Sequence, residues 1–392
     1  MRNTRLPAAI VVAAGVSAAL HVGKLPPAIP VLRDALGVTL VEAGFLLSLV
    51  QLAGMLLGLA VGLLADGAGL RRSVLAGLIM LALASGLGGF VQDASQLLVL
   101  RALEGVGLLL AAMPAPGLIR RLVPPGQVDA ALGWWGAYMP LGTALALLCG
   151  PLVMEQLGWP GWWWMLGGVS LAAALAVWRM VPADPPASAT QGTAGWLQRL
   201  HRTLTSAGPW LVALTFAMYS SQWLAVIGFL PSMYAQAGVA AHTTALLTAL
   251  VAAVNMAGNI GSGRLLQRGV RAERLLTVGF VAMGLGAWVA FSAFGGQPLP
   301  LPVRFGALLV FSMVGGLIPG TLFSLAVRFA PGEGTASTTV GWMQQCSALG
   351  QFAGPPLVAW MAIQTGGWEW TWVVTGAAAV AGLVLARLCG KQ

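Results

Sequence analysis

A few ionisable residues lie inside long apolar runs, and they are the ones with chemistry to offer. Arg101 and Glu104 stand three apart in "LVLRALEGVGLLL", and His21 and Lys24 stand three apart in "AALHVGKLPP". On a helix each couple shares a face and can interact. An ionised side chain in a membrane helix costs about 2.5–3.5 kcal/mol on insertion scales, so it is kept beside a partner or a cavity. Two roles fit Arg101 and Glu104. They form a permanent pair that packs one helix on its neighbours, or a pair that Glu104 opens by taking a proton. Two roles also fit the other couple. Lys24 in a central cavity attracts an anion while His21 titrates near neutral pH. Alternatively, Lys24 snorkels to the outer interface and His21 is a packing residue. Pro26-Pro27 favours the second role if it ends the helix.

A second group is polar without charge. Tyr138, Tyr219, Gln222, Trp223, Asn255, Asn259, Gln344, Gln345 and Gln351 all interrupt apolar stretches. Amides and phenols can hold a small solute without a charge penalty, and they also serve as hydrogen-bonded glue between helices. With His21 and Lys24 they form the candidate substrate-binding set. Arg101 and Glu104 are the candidate proton-coupling or buried-pair residues.

The elements that must carry these residues follow from composition. Of 392 residues, 58% are hydrophobic and 8% charged, and the mean hydropathy is +0.84. A soluble domain carries roughly 25% charged residues, so this chain cannot cover a globule with polar surface and needs lipid as its solvent. The net charge of +9 does not point to nucleic acid, because the bases sit in short loops between apolar runs. Cys149, Cys346 and Cys389 have no metal-ligand spacing and are expected to be small buried hydrophobes. The first apolar stretch, after Arg2 and Arg5, is long enough to be retained as a helix.

At about 20 apolar residues per crossing, spans are expected near 8–30, 42–64, 73–91, 96–119, 128–151, 162–181, 209–231, 243–265, 274–294, 302–328, 335–360 and 369–389. This makes the chain an all-α integral membrane protein with twelve transmembrane helices. Placing both termini in the cytoplasm puts sixteen of the 20 Lys plus Arg on that side, as the positive-inside rule requires. Arg33 and Arg304 then lie outside. The tryptophan runs "WPGWWW" and "WEWTW" fall at outer span ends, where interfacial anchoring is expected.

The stretch 182–208, rich in Pro, Ala, Ser and Thr, divides the spans six and six as a cytoplasmic linker between bundles 1–181 and 209–392. The halves echo one another. Gly133-Trp134 and Leu141-Gly142 recur at Gly341-Trp342 and Leu349-Gly350, and Trp162 and Trp164 recur at Trp370 and Trp372, all offset by 208. His21 maps to Gln222 at offset 201. Two parallel, pseudo-symmetric six-helix bundles follow, with a site at their interface.

"GLLADGAGLRR" resembles the G-x-L-x-D-x-x-G-x-R-R pattern of the major facilitator superfamily at Gly62, Leu64, Asp66, Gly69, Arg71 and Arg72. The resemblance covers nearly the whole chain. It implies the major facilitator fold and a cytoplasmic gating latch in which Asp66 meets a helix N-terminus or an arginine. The plainer reading is a charged turn that anchors orientation. "RALEGVG" resembles the family's R-x-x-Q-G-x-G signature, with Glu104 where glutamine is usual. The antiporter order G-P-x-x-G-G is absent from span five. "HVGKLPPAIPVL" and "GQFAGPPL" look most like the cyanate-permease-like branch.

The expectation is a secondary transporter in the inner membrane. It would move a small anionic or weakly acidic organic solute by alternating access, coupled to protons. Its partners are the solute, the lipid bilayer and protons, with no nucleic acid, no cofactor, no metal and a monomeric state. Efflux of hydrophobic drugs and a non-transporting receptor or scaffold are the alternatives. An enzyme is not expected, since the three histidines, 21, 201 and 242, form no catalytic grouping, and there is no nucleotide-binding motif.

Overall fold

A computed structural model describes residues 5–124, 131, 134–184, 196–294, 297–332 and 335–392, without the side chains of 5, 62–68, 196, 294, 336 and 337. Among the described residues, ten stretches are long and apolar enough to cross a bilayer. Crossing 1 is Leu6–Leu36, crossing 2 contains Leu40–Val61, crossing 3 is Leu70–Gly88 and crossing 4 is Ala94–Leu122. Trp134–Met180 follows, then crossings 7 to 10 at Ala207–Gln236, Ala241–Gln267, Ala272–Phe291 and Leu301–Arg328, and crossing 12 at Thr371–Cys389.

Trp134–Met180 is two crossings. Its 47 residues would extend about 70 Å as one helix, twice the hydrocarbon core. Gly158 breaks it with φ 69° and ψ 172°, a backbone that only glycine adopts cheaply. Crossing 5 ends there and crossing 6 begins. The more polar helix Ala336–Thr365, 30 residues long, is crossing 11, which completes the twelve expected. The outward faces are apolar, as lipid requires: Leu83, Val99, Leu171, Leu285 and Val380 are all exposed.

Two departures from the sequence reading concern local structure. Pro26 and Pro27 do not end crossing 1. They break it into helices Arg5–Gly23 and Leu25–Leu36, with Lys24 at the joint. Neither proline has an N–H, so the carbonyls of Val22 and Gly23 lose their helical donors, while prolines at the start of the second helix fit without strain. The expected linker is also not wholly irregular, because Trp196–Thr205 is a helix.

Crossing 1 packs on crossing 5, and crossing 3 packs on crossing 4. In the second half crossing 7 packs on crossings 11 and 12, and crossing 9 on crossings 10 and 12. The halves meet where crossing 2 lies along crossing 11 and where Leu25–Leu36 meets crossing 7.

Backbone contact between crossings 2 and 4 depends on one residue beside Glu104. A Cβ at Gly105 would stand 2.6 Å from the Val50 carbonyl oxygen, so only glycine lets the two helices touch. Gly105→Val should lower the melting temperature in detergent by an amount corresponding to about 1–3 kcal/mol of overpacking. Gly86→Ala, where nothing lies within 4 Å of the added atom, should leave it unchanged. Equal melting of both variants would remove this contact from the account.

Candidate functional site

The four ionisable residues of the first half converge on one carboxylate. Glu104 accepts from Lys24 Nζ on Oε1 and from Arg101 Nη1 on Oε2, the latter at 2.5 Å. Lys24 and Arg101 are 0% exposed and Glu104 is 1% exposed. Lys24 therefore does not snorkel. Its ammonium also donates to Ser85 Oγ at 3.1 Å and lies 4.6 Å from the centre of the Trp163 ring. Each contact replaces hydration lost on burial.

Arg101 is held by carbonyls as well as by Glu104. Its Nε donates to Leu46 O at 3.0 Å and its Nη1 to His21 O at 2.8 Å. One side chain from crossing 4 thereby ties crossings 1 and 2. Its Nη2 is buried without a hydrogen-bond partner. His21 Nε2 lies 2.8 Å from Ser170 Oγ, which is 3.2 Å from Ser17 Oγ. His21 Nδ1 is buried without a hydrogen-bond partner, 3.5 Å from Glu104 Oε1.

The broken helix sets up this arrangement. Lys24 sits at the joint, and its carbonyl accepts from Trp162 Nε1 at 3.2 Å. Trp162 and Trp163 are each 1% exposed, so interfacial anchoring does not describe them. It fits Trp164 and Trp370, which are exposed. Trp163 also holds Ser85, whose hydroxyl donates to the Trp163 carbonyl at 2.8 Å.

The second half has a neutral counterpart. Asn255 Nδ2 donates to Tyr219 Oη at 3.0 Å and to Ser312 O at 2.8 Å, and Asn259 Nδ2 donates to Asn255 Oδ1 at 2.8 Å. Trp223 Nε1 donates to Ser312 Oγ at 3.2 Å. Gln222 Nε2 donates to Met218 O, and its Oε1 is buried without a partner. Tyr138 stands apart from this group, stacked on Trp135 with ring centres 4.2 Å apart.

Two of the glutamines bridge the halves. Gln51 Nε2 donates to Gln351 Oε1 at 3.0 Å, and the Leu59 N–H donates to Gln345 Oε1 at 3.1 Å. Gln344 is half-buried on the same helix.

The turn after crossing 2 carries an acid that the sequence reading did not name. Crossing 2 runs through Gly62, Leu64 and Asp66, whose side chains lie outside the described residues. Gly69 makes the turn with φ 98°. The acid at the start of crossing 3 is Asp184, from just beyond crossing 6. It accepts from the Arg71 and Arg72 N–H groups at 3.1 and 3.0 Å and pairs with Arg121 at 2.9 Å. The Arg71 side chain donates to the Trp178 carbonyl. A carboxylate among free N–H groups at a helix start is the favourable polarity.

Sequence reasoning missed Ser17, Ser85, Ser170, Ser312, Gln51, Trp163 and Asp184. The serines and Gln51 carry a weak signal as polar breaks in apolar runs. Asp184 stands in a polar segment and carries none.

The model of the Major Facilitator Superfamily matches residues 8–355. The puromycin resistance protein pur8 of Streptomyces alboniger is 35% identical over 158 residues, 40% of this chain and 31% of that protein. The chain therefore spans about a third of that relative. The cyanate transport protein CynX of Escherichia coli (strain K12) is 26% identical over 307 residues, 78% of this chain and 75% of that one. Among solved structures, an inward-facing, occupied bacterial homologue of the human lysosomal transporter Spinster superposes with TM-score 0.78 at 15% identity. That likeness covers 99% of this chain and 96% of the other, and it bears on the fold.

The Asp184 clamp gives a pH prediction. Burial pushes its carboxyl up, but the Arg71 and Arg72 N–H bonds and Arg121 outweigh this and hold it below the usual range. A depressed folded value adds stability above the unfolded value of about 4, and that stability is lost as pH falls through the folded value. Asp184→Asn should lower the melting temperature at neutral pH, with the gap to wild type closing as pH falls below about 4. A gap that stays constant to lower pH would mean that the charge is not what holds the turn.

Proposed function

We propose that this chain, which belongs to the Major Facilitator Superfamily, moves a small organic or pseudohalide anion across the membrane together with a proton. The observation that carries this reading is the buried cluster. Two fixed cations, Lys24 and Arg101, share the single carboxylate of Glu104, and Arg101 Nη2 has no acceptor. Lys24 and Arg101 against Glu104 leave one positive charge in excess where solvation is weakest. An anion relieves that excess, and a cation adds to it. The relative named for cyanate transport fits an anionic cargo.

Lys24 and Arg101 are the anion's partners in this reading. Glu104 stands in for the anion until it arrives. Once a solute anion takes Lys24, the anion and Glu104 balance Lys24 and Arg101, and Glu104 is left with one cation instead of two. A proton taken up by Glu104 with the anion returns the cluster to the net charge it has in the empty carrier, so the two together move no net charge. The neutral set of Tyr219, Gln222, Trp223, Asn255 and Asn259 supplies hydrogen bonds from the other half. Alternating access follows as one half rocks against the other.

Sixteen of the 20 basic side chains on one face support cytoplasmic termini and an inner-membrane location. They also support the division into 1–181, the linker 182–208 and 209–392. The Asp184 clamp then lies at the cytoplasmic end. A second reading, drug efflux, is favoured by the likeness to pur8. The excess positive charge opposes it for cationic compounds, and puromycin susceptibility of overexpressing cells separates the two.

Proteoliposome uptake of radiolabelled cyanate, lactate and benzoate under an inward proton gradient tests the proposal. Lys24→Gln should cut uptake about tenfold or more, the value of a buried charged hydrogen bond. Unchanged uptake would sink the anion reading. Glu104→Gln leaves two buried cations uncompensated, a loss of about 3–5 kcal/mol in comparable cases. A transported anion should therefore raise the melting temperature of this variant more than that of wild type. Accumulation in Glu104→Gln that still follows the proton gradient would assign Glu104 to structure.

A further inference from the structure

We infer that His21 is the proton relay of this transporter, passing protons between Glu104 and a serine pair, Ser170 and Ser17, that leads towards the N-terminal end of crossing 1. The inference rests on the proton-coupled reading above and names the route that reading lacks.

Geometry carries it. The imidazole lies between an acid and a hydroxyl and presents one nitrogen to each. Nδ1 is 3.5 Å from Glu104 Oε1, and Nε2 is 2.8 Å from Ser170 Oγ. Ser170 Oγ is 3.2 Å from Ser17 Oγ. Ser17 lies four residues before His21, one helical turn nearer the N-terminus. His21 and Ser170 are 0% exposed and Ser17 is 3% exposed, so bulk water does not reach them in this arrangement. A buried ring nitrogen without a partner is costly to keep, and here it faces the one carboxylate of the cluster.

The charged groups around the ring make the transfer conditional. Lys24 lies on its own crossing, and Arg101 and Glu104 lie on crossing 4. Crossing 6 presents the Ser170 hydroxyl and crossing 5 no ionisable group among the contacts described. While Lys24 and Arg101 hold Glu104, each of its oxygens is occupied by a cationic donor. When an anion takes Lys24, Oε1 is freed on the side that faces Nδ1.

The step balances with water as the final proton acceptor. For release, the proton on Glu104 Oε1 moves to the Nδ1 lone pair and the ring becomes an imidazolium. The Nε2 proton then moves to Ser170 Oγ, the Ser170 hydroxyl proton to Ser17 Oγ, and the Ser17 hydroxyl proton to a water that reaches it when the carrier opens. Glu104 is left as carboxylate and the ring is neutral in its other tautomer.

A structural histidine and a relay differ in which partial reaction needs them. Exchange of labelled for unlabelled anion needs no net proton movement, whereas accumulation driven by a pH gradient does. His21→Asn and Ser170→Ala are compared with wild type in proteoliposomes, with cyanate and lactate as probes. The relay predicts that exchange persists in both variants, and that gradient-driven accumulation falls by about a hundredfold in His21→Asn, within the range for a lost acid–base group. Ser170→Ala should fall in the same direction.

Accumulation at the wild-type rate in either variant overturns the relay. So does loss of exchange in a folded His21→Asn variant with accumulation intact in Ser170→Ala. If His21→Asn does not fold, Ser170→Ala decides by the same criterion. Wild-type protein that exchanges anions but ignores the gradient overturns the relay and leaves the anion reading standing. Wild-type protein that moves neither probe counts against both.

Discussion

One carboxylate organises the first half of this protein. Glu104 is the shared counter-charge of Lys24 and Arg101, all three withdrawn from water in the middle of an apolar bundle. Removing one member of such a group leaves its partners charged and unpaired, which is far more costly than the net value of the group when complete. The helices that contribute to it are thereby held in register. Arg101 draws in crossing 2 through Leu46 and crossing 1 through His21, while Lys24 reaches crossing 3 through Ser85.

The backbone is shaped to admit this group. Two prolines break crossing 1 at Lys24, and Gly105 lets crossing 4 touch crossing 2. These features are small in the sequence and decisive in space. Irregular backbone at membrane depth is tolerated where it is buried in protein, and here it coincides with the charges.

The sequence was most legible where the signal is local. Twelve apolar runs and the i, i+3 couples could be read directly, because helix periodicity and span length act over a few residues. Lys24 on Glu104 could not, because the two are separated by 80 residues and no local pattern links them. Trp162 and Trp163 misled for a related reason. A tryptophan cluster at a span end has the composition of an interfacial anchor, and only tertiary packing shows that two of its members turn inward. At the turn after crossing 2, the motif pointed to Asp66 as the acid for a helix start. The Asp66 side chain lies outside the described residues, and the acid seen at the start of crossing 3 is Asp184, since a free N-terminus accepts any carboxylate that geometry delivers.

The seam between crossings 2 and 11 is closed by amides and backbone, Gln51 with Gln351 and Leu59 with Gln345. Among the described residues no ion pair joins the two halves. A membrane potential does work of about 2.3 kcal/mol per elementary charge per 100 mV on charge that crosses the field. Parting an uncharged seam moves none of it. Any electrical sensitivity must therefore enter through the occupancy of the Lys24–Arg101–Glu104 cluster, and a cargo that neutralises that cluster would let the loaded carrier turn over indifferent to voltage.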